Sequence, residues 1–257
     1  MTWLENIILS VVEGITEYLP VSSTGHLMLT KEWLGMNPND NNTFIIAIQF
    51  GAILSVLFLY WKRFFSKDSI KLYPILFVGF IPAAIFGLLL DDILDALLSA
   101  PWIAGINLIV FGVVLLYIDK LFPEGDREIT DLSYIDAFKI GLFQCLAIAL
   151  PGISRSASSI AGGLHTKLSR KAATEFSFLL ALPTLTAAAG YKMLKDIDKL
   201  DQNQIIEIGW GSVISFFTAI IAIKFFIDYI SKYGFKLFGY YRIAIGLIFL
   251  TWWYFIK

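Results

Sequence analysis

The stretch EGITEYLPVSSTGH (13–26) sets two carboxylates, several hydroxyls and an imidazole around a Leu-Pro break. Glu13 and Glu17 are four residues apart, so a helix carries both carboxylates on one face. Pro20 ends that helix and leaves Glu17 in its last turn. A carboxylate is costly there unless a cation sits nearby or the group holds a proton. Past the break, Ser22, Ser23 and Thr24 are N-cap candidates for a second short helix. His26 follows Ser23 by three residues, on the same face and within plausible hydrogen-bond reach. A serine beside a base is the minimal activated nucleophile. A second stretch, ALPGISRSASS (149–159), supplies Gly152, Ser154, Arg155, Ser156, Ser158 and Ser159 around another helix start. Hydroxyls, a guanidinium and the free amides of a helix N-terminus form an anion cradle. The joint inventory handles phosphate.

The elements that must position these groups are unusual. IILSVVEGITEYLP (7–20) and KIGLFQCLAIALP (139–151) are apolar runs of about a dozen residues, too short to cross a bilayer. A shift of 131 residues lays Pro20 on Pro151, Ser23 on Ser154 and Glu13 on Gln144. Interrupted segments at matching places in two halves point to a binding site near the membrane midplane. Composition agrees. Hydrophobic residues make up 57%, charged residues 16%, and mean hydropathy is +0.71; soluble domains usually carry about 25% charged residues. The net charge of −1 is uninformative, since the charges cluster in loops. No secretory signal with a small-residue cleavage site is visible, and no basic region precedes the first run.

Six further apolar stretches have spanning length, roughly 44–60, 73–90, 102–118, 172–191, 205–227 and 239–256. The expectation is an all-α integral membrane protein of one domain, 1–257. Its two repeats, about 1–120 and 132–257, meet at the charged linker DKLFPEGDREITD (119–131). If each interrupted pair dips in and returns, every repeat crosses three times, which inverts the second relative to the first. That makes six transmembrane helices and two re-entrant helix-loop-helix segments. Thirteen lysines and arginines fall in 61–72, 119–139, 166–171 and 224–236, against five at Lys31, Lys192, Lys195, Lys199 and Lys257. The basic side faces the cytoplasm. The termini, the site and the acidic loop DDILD (91–95) then face outside.

Other polar residues invite plainer readings. Any single serine in a membrane helix commonly bonds a preceding carbonyl. Arg242, between Tyr241 and an apolar run, reads as an interfacial anchor. Gln49 either lines the site or makes a helix-packing hydrogen bond. Glu175 begins a span at the interface, His165 is a solvated loop residue, and Cys145, the single cysteine, is buried and structural. Two glutamates, a histidine and an arginine inside apolar segments are expensive and mark function.

The chain resembles the bacitracin-resistance type of undecaprenyl-diphosphate phosphatase. EGITEYLPVSSTGHL (13–27) and PGISRSASSI (151–160) look like its two signature motifs. IQFGAILSVLFLY (48–60), ATEFSFLLALP (173–183) and YYRIAIGLIFL (240–250) extend the likeness over nearly the whole chain. Two positions depart from the pattern: Ala157 stands where glycine is common, and Ser159 where threonine is common. The resemblance implies a hydrolase of the bacterial plasma (inner) membrane that converts a polyprenyl diphosphate, undecaprenyl diphosphate, to the monophosphate with release of phosphate. This recycles the lipid carrier for peptidoglycan and cell-wall synthesis and confers resistance to the antibiotic bacitracin. It implies a divalent cation, magnesium or calcium, for which Glu13 and Glu17 are the candidate ligands. Ser23 matches the family's nucleophile, Glu13, Glu17 and His26 its acidic and basic groups, and Arg155 its phosphate clamp. Ser22, Thr24, Gly152, Ser154, Ser156 and Ser159 are expected to bind substrate. Attack by an activated water stays open beside the serine route, as does homodimerisation; no nucleic-acid partner is expected. The rival reading is a secondary transporter or flippase of a lipid phosphate, since broken helices in inverted repeats are transporter architecture.

The charge asymmetry predicts the 61–72 loop inside and the 91–101 loop outside. Impermeant thiol reagents should label Ser99→Cys but not Ser66→Cys in intact cells, and the reverse pattern would place the termini in the cytoplasm.

Overall fold

Side-chain caps start the first helix of each half. In the computed structural model, which describes residues 2–36, 42–66, 69–90, 100–196, 198 and 200–255, Thr2 and Glu5 form a capping box that opens helix α1 (Trp3–Thr16). Ser133 and Asp136 form its counterpart at helix α7 (Tyr134–Ala149). Burial alone would raise the Asp136 carboxyl. The Ser133 amide and hydroxyl and the Arg127 guanidinium outweigh burial and hold it below its ordinary value. Between these helices lie α2 (Ser23–Trp33), α3 (Asn42–Leu59), the short α4 (Trp61–Phe65), α5 (Ser69–Leu89) and α6 (Pro101–Leu121). After α7 come α8 (Arg155–His165), α9 (Arg170–Asp196), α10 (Gln202–Tyr233) and α11 (Lys236–Phe255). No strand occurs among the described residues.

Four described helices are long and apolar enough to cross a membrane: Ile70–Leu89, Pro101–Leu121, Arg170–Lys195 and Gln202–Tyr233. This is an all-α membrane protein. Of the expected stretches 44–60 and 239–256, residues 44–59 and 239–255 also form helices, within α3 and α11. The acidic loop at 91–95, Ser99, and the basic-count residues Lys67, Lys199 and Lys257 lie outside the described residues. The outer surface is apolar, with Phe58, Leu88 and Ile221 all more than half exposed. Hydrocarbon cannot drive helices together as water does, so close packing must. Gly246 meets the backbone of Gly105, and Gly112 that of Gly239, which brings α6 and α11 into contact along their length. Elsewhere α1 packs on α10, α7 on α5, and α3 against α9. The largest core cluster surrounds Tyr18, Phe176, Phe178 and Phe226, all fully buried.

Both Leu-Pro breaks interrupt helices, and the backbone turns sharply at each. Ser22 (φ 73°) caps α2 by accepting from the Gly25 amide at 3.2 Å. Ser154 (φ 85°) caps α8 through the Ala157 amide at 3.1 Å. The two breaks differ by one residue, because Gly152 (φ 91°) is additional in the second. The simple shift of 131 therefore fails past the prolines. Ser22 corresponds to Ser154, and Ser23 corresponds to Arg155 rather than to Ser154.

Arg242 ties the two breaks together. It is no interfacial anchor: its side chain is fully buried in the middle of the protein. Its guanidinium donates to the carbonyls of Pro20 (2.9 Å), Ile153 (2.8 Å) and Gly152 (2.5 Å), with longer bonds to Asn107 (3.4 Å) and Leu108 (3.5 Å). Asn107 adds a bond from its amide to the Pro151 carbonyl at 2.7 Å. The breaks leave carbonyls without helical partners, and hydrocarbon supplies none. Five donors on a rigid fork meet that need as no lysine could.

Arg242→Lys should lower thermal stability and turnover together, since each lost charged hydrogen bond is worth about 1.5–3 kcal/mol. Gly152→Ala should destabilise by at least about 1–3 kcal/mol through its left-handed backbone, and its methyl group would lie 2.7 Å from the Ala104 carbonyl oxygen. Thermal melts of either variant that match the parent would show that the breaks hold without this tie.

Candidate active site

Glu17 is the centre of the site. It stands at the end of α1, 5% exposed, where the chain turns toward the break. The two helices that follow the breaks, α2 and α8, each aim their first residue at it. Ser23 Oγ donates to Glu17 Oε2 at 2.5 Å, and Arg155 Nη2 donates to Glu17 Oε1 at 2.8 Å. An O–H···O⁻ bond of that length is charge-assisted and orients the hydroxyl oxygen's free lone pairs away from the carboxylate. Arg155 is further fixed by the Ser177 carbonyl (3.1 Å) and lies 5.7 Å above the Tyr18 ring, while its buried Nε–H has no partner. Tyr18 is itself pinned, through its hydroxyl to the Ala52 carbonyl at 3.0 Å and edge-on to Phe178.

A cavity of about 80 Å³ opens beside these groups, lined by Glu17, Ser22, Ser23, Thr24, Gln49, Ala147, Ser154, Arg155 and Leu185. Two helix N-termini converge on it, and first-turn amides have no intrahelical acceptors. Of the two readings of Gln49, the lining role is the one realised. Glu13 lies behind Glu17, fully buried, with neither oxygen receiving a hydrogen bond from a donor. An ionised carboxylate in such a place needs a cation or a proton.

Several expected contacts are not formed. His26 does not meet the Ser23 hydroxyl, because both ring nitrogens are engaged elsewhere. Nδ1 lies 2.8 Å from the Ser22 carbonyl and Nε2 lies 2.9 Å from the Tyr241 hydroxyl. Glu17 holds the place beside Ser23 that His26 was expected to fill. Gly152, Ser156 and Ser159 do not line the cavity. Gly152 is pressed against α6, with its carbonyl bound by Arg242. Ser156 donates to the Tyr18 carbonyl at 2.7 Å, so it staples one break to the other. Ser159 is bonded to Ser177 Oγ at 2.7 Å and to the Arg155 carbonyl within its own helix. Glu175, expected at an interface, pairs with Arg63 at 2.9 Å. Cys145 is buried, and its thiol bonds the Gly141 carbonyl; His165 is exposed beside Phe122 and Phe143. Sequence reasoning did not single out Tyr18, Ser177 or Tyr241, which lie in aromatic or helical runs that carry no local signal of their partners.

A serine held on a carboxylate, beside an arginine and two helix N-termini in an apolar protein, is a phosphoryl-transfer constellation for a membrane-borne phosphate ester or anhydride. Comparison with known proteins gives this class its family. The family described as bacitracin resistance protein BacA matches residues 6–248, and the chain belongs to it. A Flavobacterium psychrophilum relative named undecaprenyl-diphosphatase is 46% identical over 254 residues, 97% of this chain and 95% of the relative. Relatives of the same name from Persephonella marina (45%; 96% and 97% covered) and, as undecaprenyl-diphosphatase 1, from Clostridioides difficile (38%; 96% and 95%) agree.

If Ser156 and Ser159 serve only the packing of the breaks, Ser156→Ala and Ser159→Ala should each cost roughly 1 kcal/mol of stability and leave KM unchanged. A KM raised about tenfold, equivalent to the loss of one good substrate contact, would return either serine to the binding surface.

Proposed function

We propose that this protein hydrolyses undecaprenyl diphosphate to undecaprenyl phosphate and inorganic phosphate, recycling the lipid carrier of cell-wall synthesis and thereby resisting bacitracin. The observation that carries the reading is the Ser23–Glu17–Arg155 triangle facing one cavity. The prenyl tail lies among the apolar helices and the diphosphate enters between the first turns of α2 and α8. Arg155, which lines the cavity, offers its guanidinium charge to the terminal phosphate, and Ser22, Thr24, Ser154 and the first-turn amides take other oxygens. Ser23 Oγ attacks the terminal phosphorus while Glu17 takes its proton, and the bond to the bridging oxygen breaks to release the lipid monophosphate. Glu17 passes that proton to the departing lipid monophosphate. It then takes a proton from water, whose oxygen attacks the phosphoserine, and returns it to Ser23 Oγ as the Oγ–P bond breaks and phosphate leaves.

The donor set fits a divalent cation of one kind. Glu13 offers two carboxylate oxygens without donors next to Glu17. Among the described residues no group of three or more His, Cys, Asp or Glu side chains is placed to hold a metal. Magnesium, which uses one or two carboxylates and completes its shell with water and phosphate oxygens, suits this set better than calcium, which takes six to eight oxygens. Such an ion would neutralise the diphosphate.

The helix order supports two repeats, about 1–120 and 132–257, each with a re-entrant pair (α1–α2 and α7–α8) and three crossings, six in all. The excess of basic residues on one side supports an inner-membrane orientation with the site facing outside.

Purified protein in detergent should release phosphate from a prenyl diphosphate, and a chelator should abolish release. Ser23→Ala should remove nearly all turnover while remaining folded. Ser22→Ala should lose less, since a cap is worth roughly 1 kcal/mol. Arg155→Lys, which keeps the charge and loses the planar fork, should cost at least about tenfold in turnover. Substantial turnover by Ser23→Ala would replace the covalent route with direct attack on the terminal phosphorus by water activated by Glu17 or a metal.

A further inference from the structure

Ser22 holds a backbone conformation that non-glycine residues rarely adopt, one residue before the nucleophile assigned above. Such strain persists only where the surroundings over-determine it. Ser22 is fixed from several directions: Oγ by the Gly25 amide, and its carbonyl by two hydrogens of one residue. The His26 amide donates to that carbonyl at 3.0 Å and His26 Nδ1 lies 2.8 Å from it. A carbonyl only accepts, so Nδ1 carries the hydrogen. In the neutral ring Nε2 is then the acceptor, and the Tyr241 hydroxyl, 2.9 Å away, is its donor. The His26 and Tyr241 rings also stack, 3° from parallel with centroids 5.5 Å apart. Tyr241 directly precedes Arg242, so the pin is rooted beside the residue that joins the breaks.

The second half of the molecule supplies an internal control. Ser154 has the same left-handed backbone and the same capping bond, yet Ser158, at the place equivalent to His26, gives the Ser154 carbonyl only its amide, at 3.1 Å. That break presents Arg155, a long side chain that adjusts to its ligand. The first presents a short hydroxyl that must sit on one spot. The extra pin exists only where placement is exacting.

We infer that Tyr241, acting through His26, is a positioning residue that locks the Ser22 turn and so sets Ser23 Oγ against Glu17. His26 itself acts through Ser22 and takes no proton from the nucleophile. The inference rests on the phosphatase reading.

Steady-state kinetics and structures of three variants test it. His26→Ala should lower kcat by about 100-fold with KM little changed, the cost of a nucleophile displaced by about 1 Å. His26→Asn, whose amide can still donate to the Ser22 carbonyl, should recover about tenfold of that loss. Tyr241→Phe should lower kcat by about fivefold, KM unchanged, through the loss of one orienting hydrogen bond. A general base would behave otherwise: added imidazole would restore turnover to His26→Ala, and His26→Asn would be no better than alanine. Either result overturns the inference for His26, and a kcat for Tyr241→Phe equal to the parent's overturns it for Tyr241. A crystal structure of Tyr241→Phe, the mildest change, reads the geometry without activity. Ser23 Oγ should leave its 2.5 Å contact with Glu17, and an unmoved Ser23 would refute the pin. Lack of phosphate release by the parent enzyme would instead sink the phosphatase reading, which the crystal structure of the variant does not depend on.

Discussion

One buried guanidinium underlies the architecture. Arg242 sits where two helical breaks expose carbonyls that hydrocarbon cannot solvate, and it donates to both breaks at once. Among the described residues no carboxylate pairs with it, so its charge is met by the oxygen ends of backbone dipoles. Without such a group, an interrupted helix inside a membrane protein is a liability. With it, the two breaks are drawn together, and the helices beyond them start within reach of a single carboxylate. The site is therefore a consequence of how the fold satisfies its own backbone.

The active centre divides its labour between two similar helix starts. Each start has a serine cap in a left-handed conformation and delivers its first residue to Glu17. The first residue after the cap differs in type, Ser23 from one side and Arg155 from the other. A hydroxyl and a guanidinium thus occupy equivalent places on equivalent helices, and the carboxylate between them accepts a hydrogen bond from each. Glu13 lies fully buried behind it, with no donor to either oxygen.

Much of this was legible in the sequence. The Leu-Pro breaks, the paired glutamates and the helical, membrane-borne character follow from local chemistry: proline ends helices, carboxylates four apart share a face, and short apolar runs cannot span. The serine cap was legible for the same reason. What escaped was tertiary. Sliding one half over the other could not detect Gly152, because the mismatch appears only in which residue reaches the cavity. Arg242 stands among tyrosines, the pattern of an interfacial belt, and nothing local shows that its side chain runs inward. His26 shares a helix face with Ser23, yet the choice of Tyr241 over Ser23 depends on a helix more than 200 residues away. The packing bonds of Ser156 and Ser159 were not legible, because a serine that staples backbone and one that binds phosphate read alike.

The hydrogen bonds of Arg242 also bear on motion. Alternating access requires two broken elements to part and rejoin around the cargo, and each cycle would have to strip several bonds from one desolvated cation. A rivet of that kind opposes any motion that parts the two breaks, since parting them would return both sets of carbonyls, and the cation itself, to hydrocarbon.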